Sequence, residues 1–135
     1  RLLGHLRPDE LADWYGRAAV FALPARYEPF GLSILEAALS GCALVLGDVP
    51  SLRELWTGAA VFVPPDDPAA LARELRRMAA DPPRLRALAT AARQRARSYG
   101  TERMVARYLD VYADLLDAPR SIPLHRESAA VPLER

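Results

Sequence analysis

Apolar positions fall in two rhythms along this chain, short continuous runs and longer stripes at helical spacing, and the two alternate. "RPDELADWYGRAA" puts Leu11, Trp14, Tyr15 and Ala18 on one helical stripe. Pro8 suits its first turn, and Asp9 and Glu10 suit the positive end of its dipole. "VFAL" (Val20 to Leu23) is an uninterrupted apolar run that reads as a buried strand stopped by Pro24. A helix that is apolar on nearly every side follows, opened by Gly31 and closed by Gly41. "ALVLGD" predicts a second strand, "VPSLRELW" a short helix, and "AAVFVPPDDP" a third strand with a Pro/Asp turn.

Beyond Asp67 the pattern is helical throughout. Asp67-Pro68 starts a helix with Leu71, Leu75 and Met78 inward, and Asp81-Pro82 starts another with Leu85, Leu88, Ala92 and Tyr99 inward. Gly100 ends it. Thr101 can cap a last helix whose stripe is Val105, Tyr108, Leu109, Tyr112 and Leu116. The segment from Pro119 has three prolines and no sustained period, so residues 119–135 read as a flexible tail. Short apolar strands alternating with helices predict an α/β, Rossmann-like doubly wound parallel sheet. Three strands are few for such a sheet, which has about five or six. "RLLGHL" resembles the end of a fourth, which suggests that the first strands of the domain are missing.

Composition narrows the classes. The 135 residues suffice for one domain with its own core, and a formal net charge of +1 gives no field favouring nucleic acid. All 18 basic residues are arginine, so no lysine chemistry is available within the chain. A single cysteine, Cys42, cannot form an internal disulfide, which suits a reducing, cytoplasmic setting. No apolar run reaches the length of about 20 residues that spans a bilayer. His5, His125 and Cys42 lack metal-ligand spacing, and no metal site is expected. Cys42 reads as a small buried residue. Asp48, just past a strand, raises a phospho-accepting receiver reading, but the acidic pair such a site needs is not visible.

The chemistry concentrates in "PARYEPFGLSILEAALSG", Pro24 to Gly41. Its turn lies where a strand hands over to a helix, the edge at which ligands bind in open α/β folds. Free N–H groups around Phe30, Gly31 and Leu32, with the helix dipole, suit a phosphate, and Gly31 allows close backbone approach. Glu36 stands among Leu32, Leu35 and Leu39 and has two readings: a solvent-facing helix carboxylate, or a half-buried one in want of donors such as the vicinal hydroxyls of a ribose. Glu28, eight residues earlier, would sit across the phosphate site and accept from sugar hydroxyls. Ribose, phosphate and hexose in a row describe a nucleotide sugar.

"YEPFGLSILEA" resembles the E-x7-E signature of retaining GT-B glycosyltransferases, in particular family 4 (glycosyl transferases group 1). "LGHLRPDELADWYGRAAVFALP", "SGCALVLGDVPSLREL" and "VFVPPDDPAALAREL" are similar to the flanking blocks of that family. The resemblance implies a partial C-terminal donor-binding domain over residues 1–118, truncated at its N-terminal side. It assigns donor sugar and diphosphate contacts to Glu28, Pro29, Phe30, Gly31 and Leu32, with Glu28 the catalytic carboxylate, and ribose contacts to Glu36. His5, Leu6 and Arg7 take the position that packs near the base. It further implies no cofactor, a nucleotide-diphosphate sugar (UDP, GDP or ADP type) as donor, and a glycan, lipid or small-molecule acceptor bound in a missing N-terminal domain. The arginine and lysine that neutralise the diphosphate in this family are not in the chain, which alone is expected to be inactive and prone to oligomerise. The parent would work in the cytoplasm or at the inner face of the membrane. The alternative is a non-catalytic nucleotide-sugar or interaction module of the same fold.

Overall fold

Every residue of Ala43–Gly47 is buried, and this strand organises the molecule. The computed structural model describes residues 2–117. In chain order it contains α1 (Pro8–Arg17), β1 (Val20–Leu23), α2 (Leu32–Leu39), β2 (Ala43–Gly47), α3 (Pro50–Trp56), β3 (Val61–Val63), α4 (Pro68–Ala80), α5 (Pro82–Arg97) and α6 (Thr101–Asp117). The sheet order is β1-β2-β3, parallel throughout, with Val20 opposite Ala43 and Val45 opposite Val61. A central parallel strand is covered on both faces, which is why "ALVLG" has no polar side chain.

Alternation along β2 divides the core in two. Leu44 and Leu46 pack with Ile34 and Ala38 of α2, Leu52 and Trp56 of α3, and Ala92 and Ala96 of α5. Ala43 and Val45 pack with Val63, Ala70 and Met78, flanked by Leu71, Leu75, Leu85 and Leu88. The crossover helices α2 and α3 thus share one core, as right-handed connections between successive parallel strands require. α5 contributes to both. The Asp-Pro starts behave as expected: Asp67 accepts from the Ala70 N–H (2.8 Å) and Asp81 from the Arg84 N–H (3.0 Å), with proline in each first turn. Among the described residues no helix is long and apolar enough to cross a membrane.

Three expectations are corrected. Leu2 to Leu6 form no strand, because among the described residues they have no neighbour to take their backbone groups. On the α1 stripe Leu11, Tyr15 and Ala18 are half-buried as read, with Tyr15 in a T-shaped pair with Phe21 at 5.8 Å, but Trp14 is exposed with the Arg17 guanidinium over its ring. Tyr99 lies past the end of α5, in the turn, where it packs on Trp56 (6.1 Å between ring centroids).

The chain divides into two compact units between Thr101 and Glu102. In α6 no residue is buried, and its predicted stripe of Val105, Tyr108, Leu109, Tyr112 and Leu116 is exposed. The expected 119–135 tail, with His125, lies outside the described residues.

Candidate functional site

The site is built at the carboxyl ends of β1 and β2. Pro24 stops β1, and the loop that follows crosses the end of β2. A Cβ on Gly47 would lie 2.9 Å from the Ala25 nitrogen and closer still to its carbonyl oxygen, so only glycine lets the loop pass there. Farther along, Arg26 pairs with Asp66 (2.5 Å), linking the loop after β1 to the turn after β3, and both side chains are exposed.

The loop then tightens into the Glu28–Gly31 turn. Glu28 is half-buried, and its Oε1 accepts the Phe30 N–H at 3.3 Å. Its carbonyl accepts the Ser51 hydroxyl at 2.6 Å. Phe30 presents its face or edge to Tyr99 in a near-perpendicular pair, 5.6 Å between centroids. Gly31 is buried with φ 80° and ψ 70°, a left-handed conformation that side chains resist. A Cβ there would also come within 2.8 Å of Ile34 Cγ1. Gly31 is therefore required by backbone geometry and packing.

α2 starts at Leu32 and no side chain caps it. The N–H groups of its first turn are the donors left over when a helix begins. The Phe30 N–H, expected among the free donors, is instead taken by Glu28. Pro29 and Leu32 are exposed, Leu32 at 68%.

Of its two readings, Glu36 takes the solvent-facing one. It is exposed, because α2 turns Ile34, Ala37 and Ala38 into the core and leaves Leu32, Glu36 and Leu39 outward. Its carboxylate is close enough to matter to Tyr15, whose phenol is raised above its ordinary value by burial first and the Glu36 charge second.

His5 and Arg7 are exposed and Leu6 is half-buried. Arg7 serves α1: its N–H donates to Glu10 (2.9 Å) and its guanidinium pairs with Asp9 (3.2 Å), holding that carboxyl below its ordinary value. No hydrogen bond among the described residues joins these three positions to the Glu28–Gly31 turn. Asp48 pairs with Arg53 through both carboxylate oxygens, which lowers the Asp48 carboxyl, and Arg53 also lies 4.8 Å above the Phe62 ring. Among the described residues no three His, Cys, Asp or Glu side chains gather around it. Cys42 is buried, with its single S–H in reach of the carbonyls of Tyr15 (3.4 Å) and Ala18 (3.3 Å), and burial pushes it above the ordinary thiol value.

Gly47, Ser51 and Tyr99 belong to the framework around this turn, a role that the sequence reading of Tyr99 as an inward helix residue does not reach. Only Gly47 carried a signal, a glycine inside an otherwise apolar strand.

The profile of the glycosyl transferases group 1 family matches residues 1–81, which contain the whole turn, both glutamates and the sheet. The chain belongs to that family. A D-inositol 3-phosphate glycosyltransferase of Streptomyces bingchenggensis is 37% identical over 118 residues, covering 84% of this chain and 26% of the relative. A glycogen synthase of Mycobacterium tuberculosis is 41% identical over 97 residues, 70% of this chain and 23% of the relative. The chain thus spans about a quarter of the length of the curated relatives it matches. Among solved structures, a sucrose-phosphate synthase from Thermosynechococcus elongatus superposes with a TM-score of 0.78 at 30% identity, over 88% of this chain and 31% of that one. The fold is that of the GT-B glycosyltransferases.

Proposed function

We propose that this chain forms the donor-binding part of a retaining glycosyltransferase, which moves a hexosyl group from a nucleotide-diphosphate sugar to an acceptor hydroxyl. One observation carries the reading: an uncapped helix N-terminus stands at the carboxyl edge of the sheet, behind a glycine at φ 80°, with one carboxylate before it and one beyond it. Family membership and the E-x7-E spacing support it.

In this reading the N–H groups at the start of α2 and the helix dipole stabilise the diphosphate as charge develops on the leaving group. Glu28 accepts from hydroxyls of the donor sugar and orients its anomeric carbon, and Pro29 and Phe30 shape that end. Glu36, outward and one turn beyond Leu32, accepts the two ribose hydroxyls. The base stacks toward His5, Leu6 and Arg7. The acceptor, a glycan, lipid or small molecule, is held by parts of the protein outside this sequence, and the work is done in the cytoplasm or at the inner membrane face. No divalent metal takes part, so transfer persists in excess EDTA; complete loss that Mn²⁺ reverses contradicts this.

Thermal shift of the protein carrying this sequence, with UDP, GDP, ADP and a sugar conjugate of each, tests the reading. One nucleotide and its sugar raise the midpoint, since a ligand at 100 times its Kd stabilises the native state by about 2.7 kcal/mol. A midpoint that none of the six moves contradicts donor binding.

A further inference from the structure

We propose that Ser51 and Tyr99 are positioning residues for Glu28: from outside the motif they clasp the Glu28–Phe30 turn and set the direction of its carboxylate. The proposal rests on the reading of Glu28 as the acceptor for donor-sugar hydroxyls.

Ser51 is the second residue of α3, after Pro50. Its Oγ donates to the Glu28 carbonyl, 23 positions away in sequence, at 2.6 Å. That carbonyl belongs to a turn and has no strand or helix ladder to receive it. Holding it fixes the peptide between Glu28 and Pro29, and proline's ring fixes the next φ. Few rotations then remain between the anchored carbonyl and Phe30.

The second hold is on Phe30 itself. Its ring meets Tyr99 at 5.6 Å with an interplanar angle of 86°. Tyr99 in turn donates its hydroxyl to the Leu55 carbonyl (3.3 Å) and packs on Trp56, which is buried. Arg95 secures the same helix end through the carbonyls of Leu55 (2.8 Å) and Thr57 (3.1 Å). Both holds therefore end on α3, at its first turn through Ser51 and at its last through Leu55 and Trp56. Between them the Glu28 side chain folds back to the Phe30 N–H. The helix acts as a jig for the turn.

Positioning differs from general stabilisation in what it spares. The test uses the protein carrying this sequence, with UDP-glucose, GDP-mannose and ADP-glucose and the corresponding nucleoside diphosphates as probes, and follows amide hydrogen exchange over residues 28–31. Ser51→Ala is expected to weaken the bound nucleotide sugar about tenfold, the scale of one lost hydrogen bond, and to leave its nucleoside diphosphate within about twofold. Exchange at Phe30 and Gly31 accelerates. Ser51→Thr, which keeps the hydroxyl, restores both, and Tyr99→Leu repeats the split where Tyr99→Phe gives a milder form. Equal weakening of both ligands by Ser51→Ala, or no weakening and no change in exchange, overturns the proposal if Glu28→Gln still harms the nucleotide sugar. If Glu28→Gln spares the nucleotide sugar, or no probe binds, the donor reading itself is wrong and the role of Ser51 falls with it.

Discussion

The two glutamates of the motif stand eight residues apart and live under opposite physical regimes. Glu28 is half-buried in a turn whose carboxylate, carbonyl and following ring are all engaged, by Phe30, Ser51 and Tyr99. Glu36 is exposed on the outer face of a regular helix. One carboxylate is aimed by long-range contacts, and the other is aimed by helix geometry alone. The difference teaches where each is fragile. Glu28 depends on residues far away in sequence, whereas Glu36 depends on little beyond the integrity of α2.

The contrast can be broken most severely at Gly47. Gly47→Val places a side chain against the Ala25 backbone, which cannot yield as a flexible side chain would. Loss of about 3 kcal/mol or more is expected in chemical denaturation, from overpacking in a buried strand. A change under about 0.5 kcal/mol would mean that the loop does not cross β2 as described. Gly31→Ala comes next, at about 2 kcal/mol, because it combines left-handed backbone strain with a collision at Ile34. Adding Ile34→Ala should relieve the collision alone, so the pair's combined effect should fall short of the sum.

The smallest effect concerns Cys42 and sharpens the comparison by lying outside it. Burial raises its folded thiol above the unfolded value, so the protein favours the neutral form. The associated stability is complete below the unfolded pKa and is lost as pH rises through the folded one. Cys42→Ala should flatten the alkaline limb of stability against pH, on top of a pH-independent loss of about 1 kcal/mol from the vacated core volume. In the native protein the thiol should react with a disulfide reagent only on unfolding; rapid reaction in the folded state contradicts its burial.

Much of this was legible in sequence, for identifiable reasons. The strands announce themselves because a parallel sheet covered on both faces admits only apolar runs such as "ALVLG". The starts of α4 and α5 are written locally, in Asp67-Pro68 and Asp81-Pro82. Glu36 could not be assigned to one face, because a helix apolar all round does not say which side is covered; that depends on what packs against it. "RLLGHL" looked like a strand, yet a strand exists only when paired. The roles of Ser51 and Tyr99 could not be read at all, since a hydrogen bond across 23 positions and a ring contact from the turn after α5 leave no local trace.

The central claim is that Glu28 meets the donor's sugar and Glu36 its nucleotide. Calorimetric titration of Glu28→Gln and Glu36→Gln, each with the nucleoside diphosphate and with the nucleotide sugar, tests it most directly. Glutamine keeps an oxygen for the Phe30 N–H, so the turn is preserved while the charge is removed. Glu36→Gln should weaken both ligands alike, by about 1.5–3 kcal/mol, the worth of hydrogen bonds to a charged group. Glu28→Gln should spare the nucleoside diphosphate and weaken only the nucleotide sugar. Equal weakening of both ligands by Glu28→Gln would contradict the division of labour between the two carboxylates.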